Sequence, residues 1–305
     1  MGDTSIPYQT GVLAYRTNSG RFLVLRLKNG DLDALKRQVV KFYKTRHLFT
    51  HRQPPLVLNT ALSFGYDLWS KLHPDPVAGF HPLEPIEGPH PLPALPADIF
   101  VHITAENADI CYQMARSLIN GWDDVEVLDE RVAFTHMGGR DLTGFVDGIE
   151  NPLTPDDRRK AILIPEGPFQ NGAFLLAQRF VHDLNKWHAT SIDEQQRTFG
   201  RTKLQGVEFP DDEKPANAHI ARVNIGIDVV RHNMPYGDAS GDQGVYFILY
   251  AQQLSTIDTQ LKRMYGQVPD GITDHLLDFT QSMGGAYYFA PSQTMLNEIM
   301  GVDDD

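Results

Sequence analysis

The chain is predicted to adopt an α+β fold, a tandem duplication of ferredoxin-like domains with antiparallel sheets and peripheral helices. Three observations predict it. Strand and helix periodicities alternate as β-α-β-β-α-β as far as Phe134, and a strand-then-helix unit recurs about 145 residues further on. With 305 residues, 41% of them hydrophobic, the chain can bury one large core or two medium ones.

In the first half, Phe22 to Leu27 reads as a strand, and Asp31 opens a helix on which Leu32, Leu35, Val39 and Phe42 recur at helical spacing. Leu56 to Phe64 is the second strand, followed by a short amphipathic piece from Tyr66 to Leu72. Residues 73–96 hold eight prolines and two glycines, which predicts a long extended loop. Ile99 to Ile103 is a strand, Thr104 an N-cap, and the next helix runs to Ile119 before Asn120-Gly121 stops it. Val125 to Phe134 returns as a strand. In the second half the expected elements are a strand from Ala173 to Val181, a helix near Ile192 to Phe199 and a strand from Val245 to Tyr250. A helix opened by a capping box at Ser255–Asp258 and a strand from Gly284 to Phe289 complete it. The division is expected near Asp141 to Pro155, giving domains 1–145 and 146–305, with Asp147 where the two meet.

A net charge of −12 and the lack of a Lys/Arg cluster exclude a general nucleic-acid binder or a partner of anionic membranes. Cys111 is the only cysteine, so neither an internal disulfide nor a thiolate cluster can form. It shares an apolar helical stripe with Ile110, Met114, Ala115 and Leu118, which makes it a core thiol. Met1 to Ile6 carries no basic region or apolar run, and no stretch of 18 apolar residues occurs, so a soluble cytoplasmic protein is expected.

The most informative stretch is Gly144-Phe145-Val146-Asp147-Gly148-Ile149-Glu150-Asn151-Pro152. Asp-Gly and Asn-Pro are turn pairs, yet Phe145, Val146 and Ile149 are too apolar for a merely solvated loop. The glycines let the backbone approach something flat, and Asp147 is carried into an apolar wall. Together with Arg197-Thr-Phe-Gly-Arg-Thr-Lys203, Ala218-His219-Ile220 and Arg231-His-Asn-Met-Pro-Tyr-Gly237, this loop resembles the dye-decolourising peroxidase family. The resemblance runs from about Tyr8 to about Leu296 and is strongest in these segments.

The resemblance implies a haem b (iron protoporphyrin IX) peroxidase of the compact type without an export signal, reducing hydrogen peroxide and oxidising small organic donors, dyes or phenolics, by single-electron steps. Heterolysis of the O–O bond needs a group that moves a proton between the two oxygens and a cation for the charge on the departing one. The family pattern places these roles on Asp147 and Arg231, with Asn233 on the same side of an extended segment as Arg231 and part of the water network there. It places the iron ligand on His219. Gly148 is expected against the porphyrin, Arg201 at a propionate, Phe247 and Phe289 packed on the ring, and Asp278 as the carboxylate steadying the ligand imidazole.

Spacing does not choose among the twelve histidines. His47 and His51 are spaced for a shared metal, but no Glu lies between them. His73, His81 and His90 fall in the Pro-rich loop, His102 and His136 in or beside strands, and His182 and His188 frame a surface-like segment. His232 would face away from Arg231. An acidic surface repels anionic dyes less in acid, so dye oxidation is expected to favour low pH. A homo-oligomer, dimer or larger, is expected. The competing readings are a haem-handling protein that binds, stores or transfers porphyrin, and a ferredoxin-like dimer without haem.

Overall fold

The computed structural model describes residues 7–51, 56–224, 226 and 228–302. The terminal segments Met1–Ile6 and Asp303–Asp305, on which part of the targeting expectation rests, lie outside the described residues. Among the described residues nine strands form one sheet: β1 Ser19–Leu27, β2 Leu58–Gly65, β3 Ile99–Ala105, β4 Val125–Phe134, β5 Ala173–His182, β6 Val230–Arg231, β7 Met234–Gly237, β8 Gln243–Ala251 and β9 Thr280–Ala290. The first half is ordered β4-β1-β3-β2 and the second β9-β5-β8-β7, with β6 also on β8. Fourth, first, third, second is the order in both halves, so the duplication expected from periodicity is present as matching topology.

The two sheets join at both edges. β2 meets β9 through Phe64 opposite Phe289 and Gly65 opposite Tyr288, and β4 meets β7 through Ala133 opposite Tyr236. Because β5 pairs with both β8 and β9, eight strands close a ring and leave few unpaired edges. Strand alternation sorts the side chains into two sets. Phe22, Val24, Phe100, Ile248, Tyr250 and Tyr288 pack together inside the ring. Leu23, Leu25, Val101, Ile103 and Leu249 face the helices, meeting Leu35, Val39, Met114, Ile257 and Leu261. With both faces buried, β3 and β5 read as nearly continuous apolar runs, whereas β4 is largely half-buried and charged.

Three expected details differ. Thr104 is still in β3, and the helix Ala108–Ile119 is capped by Asn107, since pairing with β1 and β2 carries the strand two residues further. The helix Leu254–Met264 starts before Ser255, so no capping box forms; Asp258 instead accepts from the Tyr287 hydroxyl at 2.7 Å. The segment between His182 and His188 does expose Asp183, Asn185 and Lys186, but His182 and Trp187 are themselves buried. Cys111 is buried in its stripe, with burial pushing the thiol up to about 11, as expected of a core thiol.

Candidate active site

The loop from Arg140 to Asn151 is anchored at several points. Arg140 donates to the Gly144 carbonyl (2.8 Å) and the Lys203 carbonyl (2.9 Å). Phe145 is buried, stacks on Phe199 with ring centres 3.9 Å apart and touches Trp187, whose indole N–H donates to the Thr143 carbonyl at 2.9 Å. Gly148 has φ +79°, a left-handed conformation costly for a residue with a Cβ, and this turn sets Asp147 at the cleft. Asn151 completes the anchoring. Its amide N–H donates to the Arg231 carbonyl and its oxygen accepts from the Arg231 amide, both at 2.8 Å. One side chain thus acts as a strand partner for Arg231, holding acid loop and guanidinium strand in register.

The tips of these residues are held more loosely than their backbones. The Asn233 amide faces Asp147 Oδ1 at 3.4 Å, while its own oxygen accepts from the Ile248 amide at 2.9 Å. Among the described residues the Arg231 guanidinium has no hydrogen-bond partner, though Asp147 and Glu150 lie within electrostatic reach. Burial, and then the charge of Asp141, push Asp147 above the usual carboxylate range, against the opposing pull of Arg16 and Arg231. Burial would likewise raise Asp141, but His182 at 3.3 Å and the hydroxyl and amide of Thr143 (2.6 and 2.9 Å) hold it well below that range. Two carboxylates six residues apart are therefore driven in opposite directions, a pattern that separates a fixed charge from a proton carrier.

His219 opens the short helix His219–Val223. Gly200 makes room for it: at φ +83° it ends the helix Ile192–Phe199, and a Cβ there would come within 2.5 Å of Ile220 and 3.1 Å of Ala218. His219 Nδ1 bonds Asp274 Oδ2 at 2.6 Å, and Asp274 is fully buried with its other oxygen accepting from the Leu276 amide at 2.9 Å. This overturns the expectation for Asp278. Asp274 caps the 3-10 turn His275–Asp278, and that turn carries Asp278 away to bond His275 and His90, at 2.9 and 3.1 Å. The overlooked signal was an Asp placed before His-Leu-Leu, a capping position.

Asp147, Gly148, Arg201, His219, Arg231, Asn233 and Phe247 all line one cleft. Arg201, buried and paired with Glu150 at 2.8 Å, is not a surface cation. His182, which spacing did not single out, lines the same cleft. Phe289 does not. It is wholly buried against Trp69, ring centres 4.8 Å apart. The cleft includes Thr280 at the other end of β9, nine residues along the strand from Phe289. Strand parity gives a face but not a position along it.

The residues fit an iron porphyrin. His219 has one nitrogen committed to Asp274 and, among the described residues, no partner for Nε2, the state a ligating imidazole requires. Phe180, Val223, Val245, Phe247 and Met264 supply apolar walls for a flat macrocycle. No group of three or more His, Cys, Asp or Glu able to hold a bare metal ion occurs among the described residues, so His47 and His51, stacked at 3.8 Å, do not form one.

Comparison with known proteins agrees. Residues 9–135 match the family model "Dyp-type peroxidase, N-terminal" and residues 138–295 match "Dyp-type peroxidase, C-terminal". A dye-decolorizing peroxidase of Mycobacterium tuberculosis is 37% identical over 81% of this chain and 77% of the relative. One from Mycolicibacterium paratuberculosis is 34% identical over 94% and 84%. The encapsulated DyP-type peroxidase of Mycobacterium smegmatis superposes with a TM-score of 0.90 at 33% identity, covering 96% of this chain and 98% of that one. A variant of DypB from Rhodococcus jostii RHA1 in complex with heme does so at 0.87 and 32%, covering 94% and 97%. The chain belongs to the Dyp-type peroxidase family and is a haem-dependent peroxidase acting on hydrogen peroxide and organic substrates.

Proposed function

We propose that His219 holds the haem iron through Nε2 while Asp274 accepts the proton of Nδ1, and that Asp147, Arg231 and Asn233 carry out the peroxide step. Haem, when bound, supplies the redox-active iron and stores the oxidising equivalents taken from peroxide. The protein supplies the rest. The carboxylate of Asp147 takes the proton of the nearer peroxide oxygen and returns it to the departing one, so water leaves rather than hydroxide. The Arg231 guanidinium, with no other hydrogen-bond partner among the described residues, is free to donate to that oxygen as charge builds. Asn233, fixed by Ile248, orients Asp147. Two electrons, one from each of two donor molecules, complete the turnover.

One observation carries this reading: an imidazole backed by a buried carboxylate lines the same cleft as an acid and an uncommitted guanidinium. A haem carrier needs neither Asp147 nor Arg231. Gly148, Arg201 and Phe247 are proposed to contact the porphyrin, Arg201 at a propionate. A division at 145/146 is supported by the equal strand order of the halves. A homo-oligomer, a cytoplasmic site of action and dyes or phenolics as donors belong to the same reading. Among the described residues no helix is long and apolar enough to cross a membrane. Stopped-flow spectra of haem-loaded protein mixed with one equivalent of peroxide test the reading. Conversion to an oxidised spectrum within milliseconds to seconds, reversed by two equivalents of a one-electron donor, is expected; an unaltered ferric spectrum overturns it.

A further inference from the structure

A second cavity, of about 300 Å³, lies behind the wall formed by Asp147, Gly148, Arg231 and Asn233. Three side chains that line it are at least nine-tenths buried, and each keeps a polar atom without a protein partner among the described residues: His102 Nε2, Thr104 Oγ1 and Arg158 Nε. His102 Nδ1 meets the Tyr250 hydroxyl at 3.2 Å, and the Arg158 NH2 group donates to the Ala14 carbonyl at 3.1 Å. Three buried groups without a protein partner thus border one cavity, and all three can donate.

The charges on this cavity are unlike those of the molecule. Arg16, Arg158 and Arg231 face it with Asp147 as its only acid among the described residues, in a chain of net charge −12. His102 and His232 are neutral there, because burial pushes both down, His232 to about 3. Its rim is apolar and aromatic. Tyr15 is 56% exposed beneath the Arg158 guanidinium, which sits 4.8 Å from its ring centre, and Leu153, beside Pro152, is 89% exposed.

We propose that this cavity is a second ligand site, separate from the haem cleft, for a carboxylate borne on a small aromatic ring. The carboxylate accepts from Arg158 Nε and the Thr104 hydroxyl, and the ring lies against Tyr15, Pro152 and Leu153. Buried donors select an anion over a neutral ligand, since each charge-assisted bond forms where water is scarce. The exposed aromatic rim selects a flat apolar body over a bare ion.

Isothermal titration of the haem-loaded protein with benzoate tests this, repeated with cyanide on the iron so that the haem cleft is blocked. One site per chain is expected in both titrations, with acetate and phenol each at least about tenfold weaker, because each lacks half of the recognised chemistry. Arg158→Gln should weaken benzoate about tenfold or more, and Thr104→Val, which preserves shape, severalfold. No saturable heat overturns the proposal, as does equal affinity for acetate or phenol, loss of binding under cyanide, or affinity unchanged in both variants. The site needs no haem. A protein that failed to bind haem would refute the peroxidase roles and leave benzoate binding to be decided by its own isotherm.

Discussion

The two ends of the cleft are built on opposite principles. At His219 the side chain itself is immobilised: Asp274 is fully buried, grips Nδ1 at 2.6 Å and is gripped in turn by the Leu276 amide. At Asp147 and Arg231 the backbone is immobilised, by Asn151 and the Gly148 turn, while among the described residues the carboxyl accepts only a 3.4 Å hydrogen bond and the guanidinium makes none. The difference teaches what each end is for. A ligand must keep one direction, so its other nitrogen is tied. A group that takes up and releases a proton must change partners during the reaction, so its position is fixed and its bonds are left open.

Substitutions that remove one end and spare the other break this comparison most severely. Asp147→Ala should slow the peroxide step by about 10² to 10⁴ while haem stays bound, measured by stopped-flow spectra at one peroxide concentration. Arg231→Leu should slow it by about 10² to 10³ with the ferric spectrum retained. Asp274→Asn should instead weaken haem binding by roughly 10 to 100-fold, measured by transfer of haem to apomyoglobin, and leave the Asp147 end competent. Haem loss in the first two variants, or none in the third, would erase the contrast.

A pH profile sharpens it further. Asp147 must be ionised to accept a proton, and burial with the Asp141 charge raises its value. The acid limb of the peroxide step should therefore lie above 3.8, the ordinary value for the carboxyl, with activity lost as pH falls through the raised value. Asp141→Asn removes part of the cause and should move that limb to lower pH; a limb that stays put or rises contradicts the coupling. The same sign gives a small stability effect. A raised value means the folded chain holds the proton more tightly than the unfolded chain, so stability falls as pH rises above 3.8 through the folded value. Asp147→Asn should thus melt no lower than wild type at pH 7.

The sequence exposed the fold through periodicity because strands such as β3 and β5 are buried on both faces and the helices are amphipathic. It did not expose closure of the ring, which depends on pairs such as Ala133 with Tyr236 that no local pattern marks. The acid loop was legible because turn pairs amid apolar residues are unusual, and Arg231 and His219 followed from the family motif. Asp274 was missed in favour of Asp278, four residues away, because a single 3-10 turn decides which carboxylate faces the imidazole. Asn151 was read only as a turn residue, since its bonds to Arg231 span 80 positions. His182 was passed over because the segment it opens is exposed, although its own ring is buried.

The claim on which the account rests is that one imidazole carries the iron, and the absorption spectrum of His219→Ala titrated with haem tests it most directly. The account predicts a weak, altered Soret band, restored toward that of wild type by millimolar free imidazole. A wild-type Soret band at stoichiometric haem, with undiminished peroxide turnover and no response to imidazole, would contradict it.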